Sequence, residues 1–471
     1  MIRRVLVAAA LVALFAGCGS SGHRTVPTTT QSKPKHARRP TGRIKKLAVT
    51  ILDGDLRVRV PGALVKVWGE HALTGRHGVA EMKGPLRRLD VSVSAHGYTP
   101  ARFQVDFRHR PRQTLRIYQP GLQWPLYGAT EARTEAPTQI RLRPPFRQVW
   151  SRALGNLIEF PAVVDDGFAY IGNAGATIHA ISMRSGKFAW VHDTPGSPRM
   201  ASSPAVDGDE IVYHTMSGWV YVLDRANGRV LWSWNAGSAI ESSPIVVNGI
   251  DYFGDAGGKM YALDLRTRRL KWSRYLGAKI TSSAAIADGR LFIGDYAARL
   301  WALSPTTGST RWIGQVNGKI YGTPAVSHGR VFVPSVADSL TAFTTSGRYL
   351  WRVTAGYYVY SSPAVADGVV CFGSYDGWFY GVSSATGRIR WRVPTGGPIS
   401  GAAVIVDGVA YVGSLSHRII GVDVRTGRRL LTFPHGEFVP VSGNGMRLLF
   451  HGFSQIYAVE PRRPHHRRRG R

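Results

Sequence analysis

Cysteine is almost absent. The chain has 471 residues and two cysteines, Cys18 and Cys371. A disulfide framework and a four-cysteine zinc site are therefore excluded. Acid is scarce as well: 29 Asp+Glu stand against 60 Lys+Arg, giving a net charge of +31. Long apolar runs are missing. The run Val5–Ala16 has 12 residues, well short of the ~20 that a membrane-spanning helix needs. No His-x-x-x-His pair, Gly-x-Ser-x-Gly elbow or pair of adjacent cysteines occurs, so the commonest sequence signs of zinc hydrolysis and serine acyl transfer are lacking.

What is present is apolar and turn-rich. Hydrophobic residues make up 44%, with Gly 54, Trp 13 and Tyr 19. This supports packed cores and a β-rich fold with many tight turns, and rules out wholesale disorder. The N-terminus has Arg3 and Arg4, then the apolar run, then Ala16-Gly17-Cys18-Gly19-Ser20. It resembles a bacterial lipoprotein signal, with Phe15 where a leucine is usual. The resemblance implies cleavage after residue 17, lipidation of Cys18, and a location outside the cytoplasm on a lipid anchor, in the periplasm or at the cell surface.

Residues 18–45 read as a basic flexible tether. With Lys46 the stretch holds eight Lys+Arg and no acid. Arg462–Arg471 reads as a disordered basic tail with six arginines. Two readings stand for these tails: attraction to anionic membrane or cell-wall surfaces, or solubility alone. The extracytoplasmic address argues against nucleic acid as a partner. Cys371, in Val369-Val370-Cys371-Phe372, reads as a buried free thiol.

Between the tails lie two regions. Residues 46–119 alternate with period two and are cut by Gly, Asp and Pro turns, which predicts a small β-sandwich. The segments Gly62-Ala63-Leu64-Val65-Lys66-Val67 and Val91-Ser92-Val93-Ser94-Ala95-His96-Gly97-Tyr98 resemble the carboxypeptidase regulatory-like, or transthyretin-like, domain. That likeness implies a spacer or adhesion module without chemistry. Residues 120–145 read as a linker and lead-in, and residues 146–461 as a repeat array.

The array shows in its tryptophans: Trp150, Trp190, Trp232, Trp272, Trp312, Trp351 and Trp391, with Phe433 in the eighth place. Steps of about 40 residues fit four short strands joined by hairpin turns such as Asp367-Gly368, Asp376-Gly377 and Thr386-Gly387. Each indole is expected to pack against the next unit. Such a unit cannot bury both faces alone, so the units must stack in a closed ring. Eight inner-strand starts occur, but the last unit lacks its outer strand. Arg147-Gln148-Val149-Trp150 is expected to supply it. The fold expected is thus all-β, an eight-bladed β-propeller preceded by a small β-sandwich.

The phrase Thr386-Gly387-Arg388-Ile389-Arg390-Trp391 and its copies resemble the tryptophan-docking repeat of quinoprotein (PQQ-type) propellers. Enzymes of that family hold PQQ over calcium, with clustered Glu, Asn and Asp ligands and usually a disulfide between adjacent cysteines. Here the cysteine pair is missing and the acids near the inner-strand starts, Glu159, Glu241 and Glu437, are scattered. Calcium needs six to eight oxygens. The expectation is therefore no enzyme, no catalytic residue, no metal and no PQQ. Ligand contact, if any, is expected at the channel mouth, from Arg199, Glu241, Lys279, Lys319, Tyr321, Tyr358, Tyr360 and Trp378. The reading is a monomeric, membrane-anchored binding or scaffold protein whose propeller face takes a protein or a cell-envelope polymer. The alternatives are a PQQ-dependent dehydrogenase with degenerate motifs, or a cell-wall polysaccharide-binding protein.

Overall fold

The structure is a computed structural model that describes residues 44–137, 139–194, 196 and 199–462. The expected signal peptide, Cys18, most of the expected tether and the expected tail beyond Arg462 lie outside the described residues.

Ten sheets account for the described chain. The first two form the sandwich. Strands β1 (Ile44–Asp53), β2 (Leu64–Val67), β3 (Glu70–Leu73), β4 (Val79–Pro85), β5 (Arg88–Ser94), β6 (Ala101–Asp106) and β7 (Arg112–Ile117) divide into sheets β4-β1-β7 and β3-β2-β5-β6. Period-two patterning sends Leu47, Val49 and Ile51 of β1 and Val65, Val67, Val91 and Val93 of the facing sheet into one core. The first strand starts at Ile44, two residues inside the expected tether.

The other eight sheets have four strands each and are the blades of the propeller. Blades 1 to 7 are antiparallel meanders running in chain order over 163–193, 205–235, 245–275, 285–315, 325–354, 364–394 and 404–433. Blade 8 takes three strands from 441–461 and its outer strand from β8 (Phe146–Ala153). The N-terminal strand thus closes the ring and removes an open edge. Arg462, assigned above to the tail, still belongs to this junction: its N–H donates to Pro145 O at 2.8 Å and its Nε to Phe146 O at 3.0 Å.

Successive blades are joined by the indoles. Nε1 of Trp150, Trp190, Trp272, Trp312, Trp351 and Trp391 donates to a backbone carbonyl of the next blade, on Met183, Arg225, Pro305, Thr345, Ser384 and Val424, at 2.9–3.3 Å. Beneath each ring lies the glycine of a third hairpin turn. A Cβ on Gly228 would stand 2.5 Å from the Trp190 ring, and one on Gly387 2.7 Å from Trp351. Their φ values of +74° and +73° also demand glycine. In blade 3 this position is Arg268, with φ 58°, and there the facing Trp232 Nε1 is buried with no partner.

The eighth aromatic needs a correction. A bulge in every blade sets the docking residue, and in all but blade 2 it stands opposite alanine or glycine: Trp391 pairs with Gly381 and Trp150 with Ala458, whereas Trp232 pairs with Val222. In blade 7 the residue in this register is Leu431, opposite Gly421, and not Phe433. Blade 8 has no chain turn where β8 joins it, so an indole has nothing to dock on. Phe433 packs edge-on against Phe450 and Tyr457 instead, at 5.0 and 5.1 Å.

The sandwich and the propeller meet through Asp55. Its carboxylate is 3% exposed and accepts from Gln123 Nε2 at 2.6 Å and from Asn444 Nδ2 of blade 8 at 2.8 Å. Arg57 adds an ion pair to Glu460 at 2.9 Å. Burial, reinforced by Asp53, Asp166 and Asp165, pushes the Asp55 carboxyl up to about 7.

Two outcomes are expected. Gly228→Ala should lower stability by about 2 kcal/mol through the ring clash and the positive φ, whereas Arg268→Gly should not lower it; thermal unfolding followed by tryptophan fluorescence checks both. For Asp55, a raised carboxyl means that its support is complete below the unfolded value near 3.8 and is lost as pH rises through about 7. Asp55→Asn should flatten the melting temperature between about pH 4 and 8 relative to wild type.

Candidate functional site

The channel has two ends. Antiparallel strands put the loops entering the inner strands, and the second turns of the blades, at one end. The Asp-Gly hairpins lie at the other.

The lead-in segment does more than link. Residues 122–135 cross the inner strands and take hydrogen bonds from six of them, Val164 N to Trp124 O (2.7 Å), Val206 N to Pro125 O (2.8 Å), Ile286 N to Glu131 O (2.8 Å), Val326 N to Ala132 O (2.8 Å), Val365 N to Thr134 O (2.9 Å) and Ile405 N to Glu135 O (2.8 Å), and from the first hairpin turn of blade 8, Gly445 N to Leu122 O (2.9 Å). Blade 3 is reached by Arg133, whose Nη2 donates to Pro244 O at 3.0 Å while Nε donates to Ala284 O at 2.9 Å. Arg133 Nη1 also donates to Tyr127 O. This strap therefore touches all eight blades. It satisfies inner-edge N–H groups that would otherwise be buried without partners. Arg133 and Glu135 are each 1% exposed; burial pushes the Arg133 guanidinium down to about 10 and the Glu135 carboxyl up to about 8.

Above the strap runs a chain of hydroxyls. Ser203 N donates to Ser243 Oγ (3.0 Å), Ser243 N to Ser283 Oγ (2.9 Å), Ser283 N to Thr323 Oγ1 (3.3 Å) and Thr323 N to Ser362 Oγ (2.9 Å). Each bond joins one blade to the next. The serines beside the inner strands are thus ring fasteners.

At the mouth one backbone bond recurs in seven blades. A residue in the entering loop offers its carbonyl to the N–H of the second turn: Leu157, Arg199, Ala239, Lys279, Lys319, Tyr358 and Pro398, at 2.8–3.0 Å. Four candidate residues, Arg199, Lys279, Lys319 and Tyr358, therefore hold one equivalent position. Two residues further on, Glu159, Glu241, Tyr321 and Tyr360 hold a second.

Charge alternates across blades at these two positions. Arg199 Nη2 pairs with Glu159 Oε1 of the preceding loop at 2.7 Å, and Lys279 Nζ with Glu241 Oε1 at 2.8 Å. The bond to Glu241 raises the Lys279 ammonium above its usual range. The residue that would pair with Lys319 is Thr281, so among the described residues Lys319 has no carboxylate within reach. Its ammonium sits 5.6 Å from the Tyr296 ring, which Lys279 also approaches at 5.4 Å.

Beyond Lys319 the mouth becomes aromatic. Tyr321 and Tyr360 meet edge-on at 5.2 Å, Tyr360 and Tyr375 lie 4.9 Å apart, and Tyr357 stacks on Tyr358 at 4.1 Å. Burial pushes the phenols of Tyr321 and Tyr360 up. Tyr321, Tyr357 and Tyr358 remain 37–49% exposed. Trp378 is not part of this arc. It begins the third strand of blade 6 and lies under the Arg392 guanidinium, 4.7 Å away.

The aspartates of the second turns are structural. Asp255 accepts from Lys259 N and Tyr261 Oη, Asp295 from Arg299 N and Trp301 Nε1, and Asp376 from Trp378 N and Tyr380 Oη, at 2.6–3.1 Å. Among the described residues no group of three or more His, Cys, Asp or Glu could hold a metal ion. Cys371 is buried and its thiol is pushed far up by burial.

Eight blades, seven of them with a tryptophan at the docking register, around a strapped channel define a quinoprotein-like β-propeller. The chain belongs to the family described as outer membrane protein assembly factor BamB, whose family model matches residues 146–285, 266–354 and 322–437. It is 28% identical over 98 residues to the outer membrane protein assembly factor BamB of Bordetella pertussis; the match spans 21% of this chain and a quarter of that protein's length. Among solved structures, it is similar to a quinohemoprotein alcohol dehydrogenase from Comamonas testosteroni, with TM-score 0.63, 14% identity, and 72% of this chain and 80% of that chain covered. It is also similar to BamB from Moraxella catarrhalis, with TM-score 0.59, 18% identity, and 69% and 100% covered. A europium-containing methanol dehydrogenase gives TM-score 0.62 at 12% identity, covering 72% and 98%. Identities this low show a shared fold and no more.

Arg133 is the strut that a single substitution tests. Arg133→Met should destabilise by about 3 kcal/mol, because the carbonyls it serves and Glu135 are left buried without it. Denaturant unfolding measures the loss.

Proposed function

We propose that this protein is a non-catalytic, envelope-associated propeller scaffold whose channel mouth takes a protein partner, held to the membrane by lipid on Cys18. The family supports the scaffold reading. The observation that carries it at the site is the pairing of the mouth carboxylates. Glu159 and Glu241 each face a cation at 2.7–2.8 Å, Glu437 lies 3.4 Å from His417, and the second-turn aspartates cap their own turns. These residues do not suit a calcium-held quinone, which needs several carboxylate and amide oxygens converging on one point. An arc of part-exposed tyrosine beside an ammonium without a carboxylate partner is instead a surface of the composition that protein interfaces favour.

The test has two arms. Purified protein given PQQ and Ca²⁺ should show no quinone absorbance and reduce no dye; dye reduction would overturn the reading. A photo-crosslinking residue at Tyr358 should give discrete protein adducts in native membranes, and Lys319→Glu or Tyr360→Ala should reduce them several-fold. Adduct-free membranes would refute the protein-partner assignment. Cys18→Ser should move the protein to the soluble fraction.

A further inference from the structure

We propose that the exposed face of the β3-β2-β5-β6 sheet is a binding site for a carboxylate-bearing saccharide, with Trp68 as its stacking platform. This rests on the sandwich alone and does not depend on the reading of the propeller.

The first observation is a strained aromatic. β2 and β3 are joined by a two-residue turn, Trp68-Gly69, closed by the Val67–Glu70 pair. Its residues have φ of 49° and 83°. This is the turn for which Asn-Gly is preferred, and a bulky ring in the left-handed region is an outlier. Strain of this kind points to a use for the side chain. Trp68 packs into no core: it is 39% exposed.

The second observation is the grid beside it. Cross-strand pairing sets Lys66 against Ser92 and Ser92 against Arg102, in one row on the outer face. Asp90 pairs with Gln104, and Trp68 continues one step beyond the Val67–Val91 pair, so it comes level with Asp90. The result is two rows of three across three strands, about 10 Å wide with rows about 7 Å apart. These residues line a cavity of about 540 Å³. The opposite face of the same strands is core. None of the Lys66, Asp90, Ser92, Arg102 and Gln104 side chains has a hydrogen bond or ion pair within the described residues, so all five can serve a ligand.

The chemistry selects the ligand. An indole face takes the apolar C–H face of a pyranose ring. Gln104, Ser92 and Asp90 supply the donors and acceptors that hydroxyls need. Two cations against one carboxylate leave the grid net positive, so a sugar acid is favoured over a neutral sugar. Arg102 offers the fork that matches a carboxylate.

Isothermal titration of the full chain with tetragalacturonate, maltotetraose and a short poly-L-glutamate tests the proposal. Tetragalacturonate should bind best. Trp68→Asn should weaken it at least about tenfold, and Lys66→Gln or Arg102→Gln about threefold each. Because Asn-Gly suits this turn, Trp68→Asn should keep or raise the melting temperature, which separates lost binding from lost fold. Three results would each overturn the proposal: no binding of tetragalacturonate, an affinity unchanged by Trp68→Asn (which would assign binding to the basic tails), or poly-L-glutamate binding as tightly with the same sensitivity to Trp68. Equal binding of maltotetraose would overturn the choice of an acidic sugar.

Discussion

An indole lying on a glycine turn of the next sheet is the contact on which this ring depends. It works from three sides at once. The ring buries apolar area between blades, its Nε1 takes a backbone carbonyl that the turn leaves over, and its face leaves no room for a Cβ on the glycine below. One glycine therefore answers both to the backbone, which needs positive φ, and to the neighbouring blade. The contact also links the register of a blade to its neighbour, since the bulge that sets the tryptophan opposite a small residue also aims the ring. Where the glycine is replaced, at Arg268, the bond at Trp232 is lost. That same junction, between blades 2 and 3, holds a buried pair found at no other junction among the described residues: His214 Nε2 lies 2.9 Å from Asp251 Oδ2, and its Nδ1 donates to Ser242 O at 2.7 Å. A polar tie stands where the docking bond is missing.

Closing the ring leaves a second problem, which is the inner edge. Eight short strands face a narrow channel, where N–H groups cannot all reach water. The strap and the hydroxyl chain answer this at different heights. The strap takes N–H donors toward the Asp-Gly end, and the Ser203–Ser362 series takes them toward the mouth. Arg133 covers the one blade that the strap backbone does not bond, which explains why a guanidinium is fully buried there: its donors meet several carbonyls at once. Asp55 extends the same logic outward, because its two oxygens are held by amides from the lead-in and from blade 8.

The ring was legible in the sequence because its constraints repeat. Forty-residue spacing, Asp-Gly turns and a missing last strand were enough to expect eight blades and the closing role of Trp150. What does not repeat was not legible. The strap bonds a different strand at almost every step, so it has no period, and its Trp124, Tyr127 and Arg133 read as lead-in residues. Phe433 fits the docking place by residue type, whereas the bulge selects Leu431 by register. Trp378 follows a second turn, which in sequence alone places it at the mouth, yet strand alternation turns it toward Arg392. The hairpin Trp68-Gly69 does leave a mark in the sequence, since tryptophan before glycine between two alternating strands is a poor turn sequence.

The mouth shows how a repeat acquires a one-sided surface. Two positions per blade project there, and in a perfect repeat they would present the same chemistry all round. Instead, acid and base alternate over blades 1 to 4 and neutralise each other, while blades 5 and 6 carry tyrosine at both positions or follow a loop that lacks the acid. The change falls between Glu241, which has a cation to meet, and Thr281, which leaves Lys319 without a carboxylate partner among the described residues. Recognition on such a ring requires no new loop. It needs only that one copy omit the counter-charge its neighbour expects, because an ammonium held by a fixed backbone bond and not neutralised locally is available to an incoming group. The backbone bonds that recur beneath all these side chains keep that difference in chemistry from becoming a difference in fold.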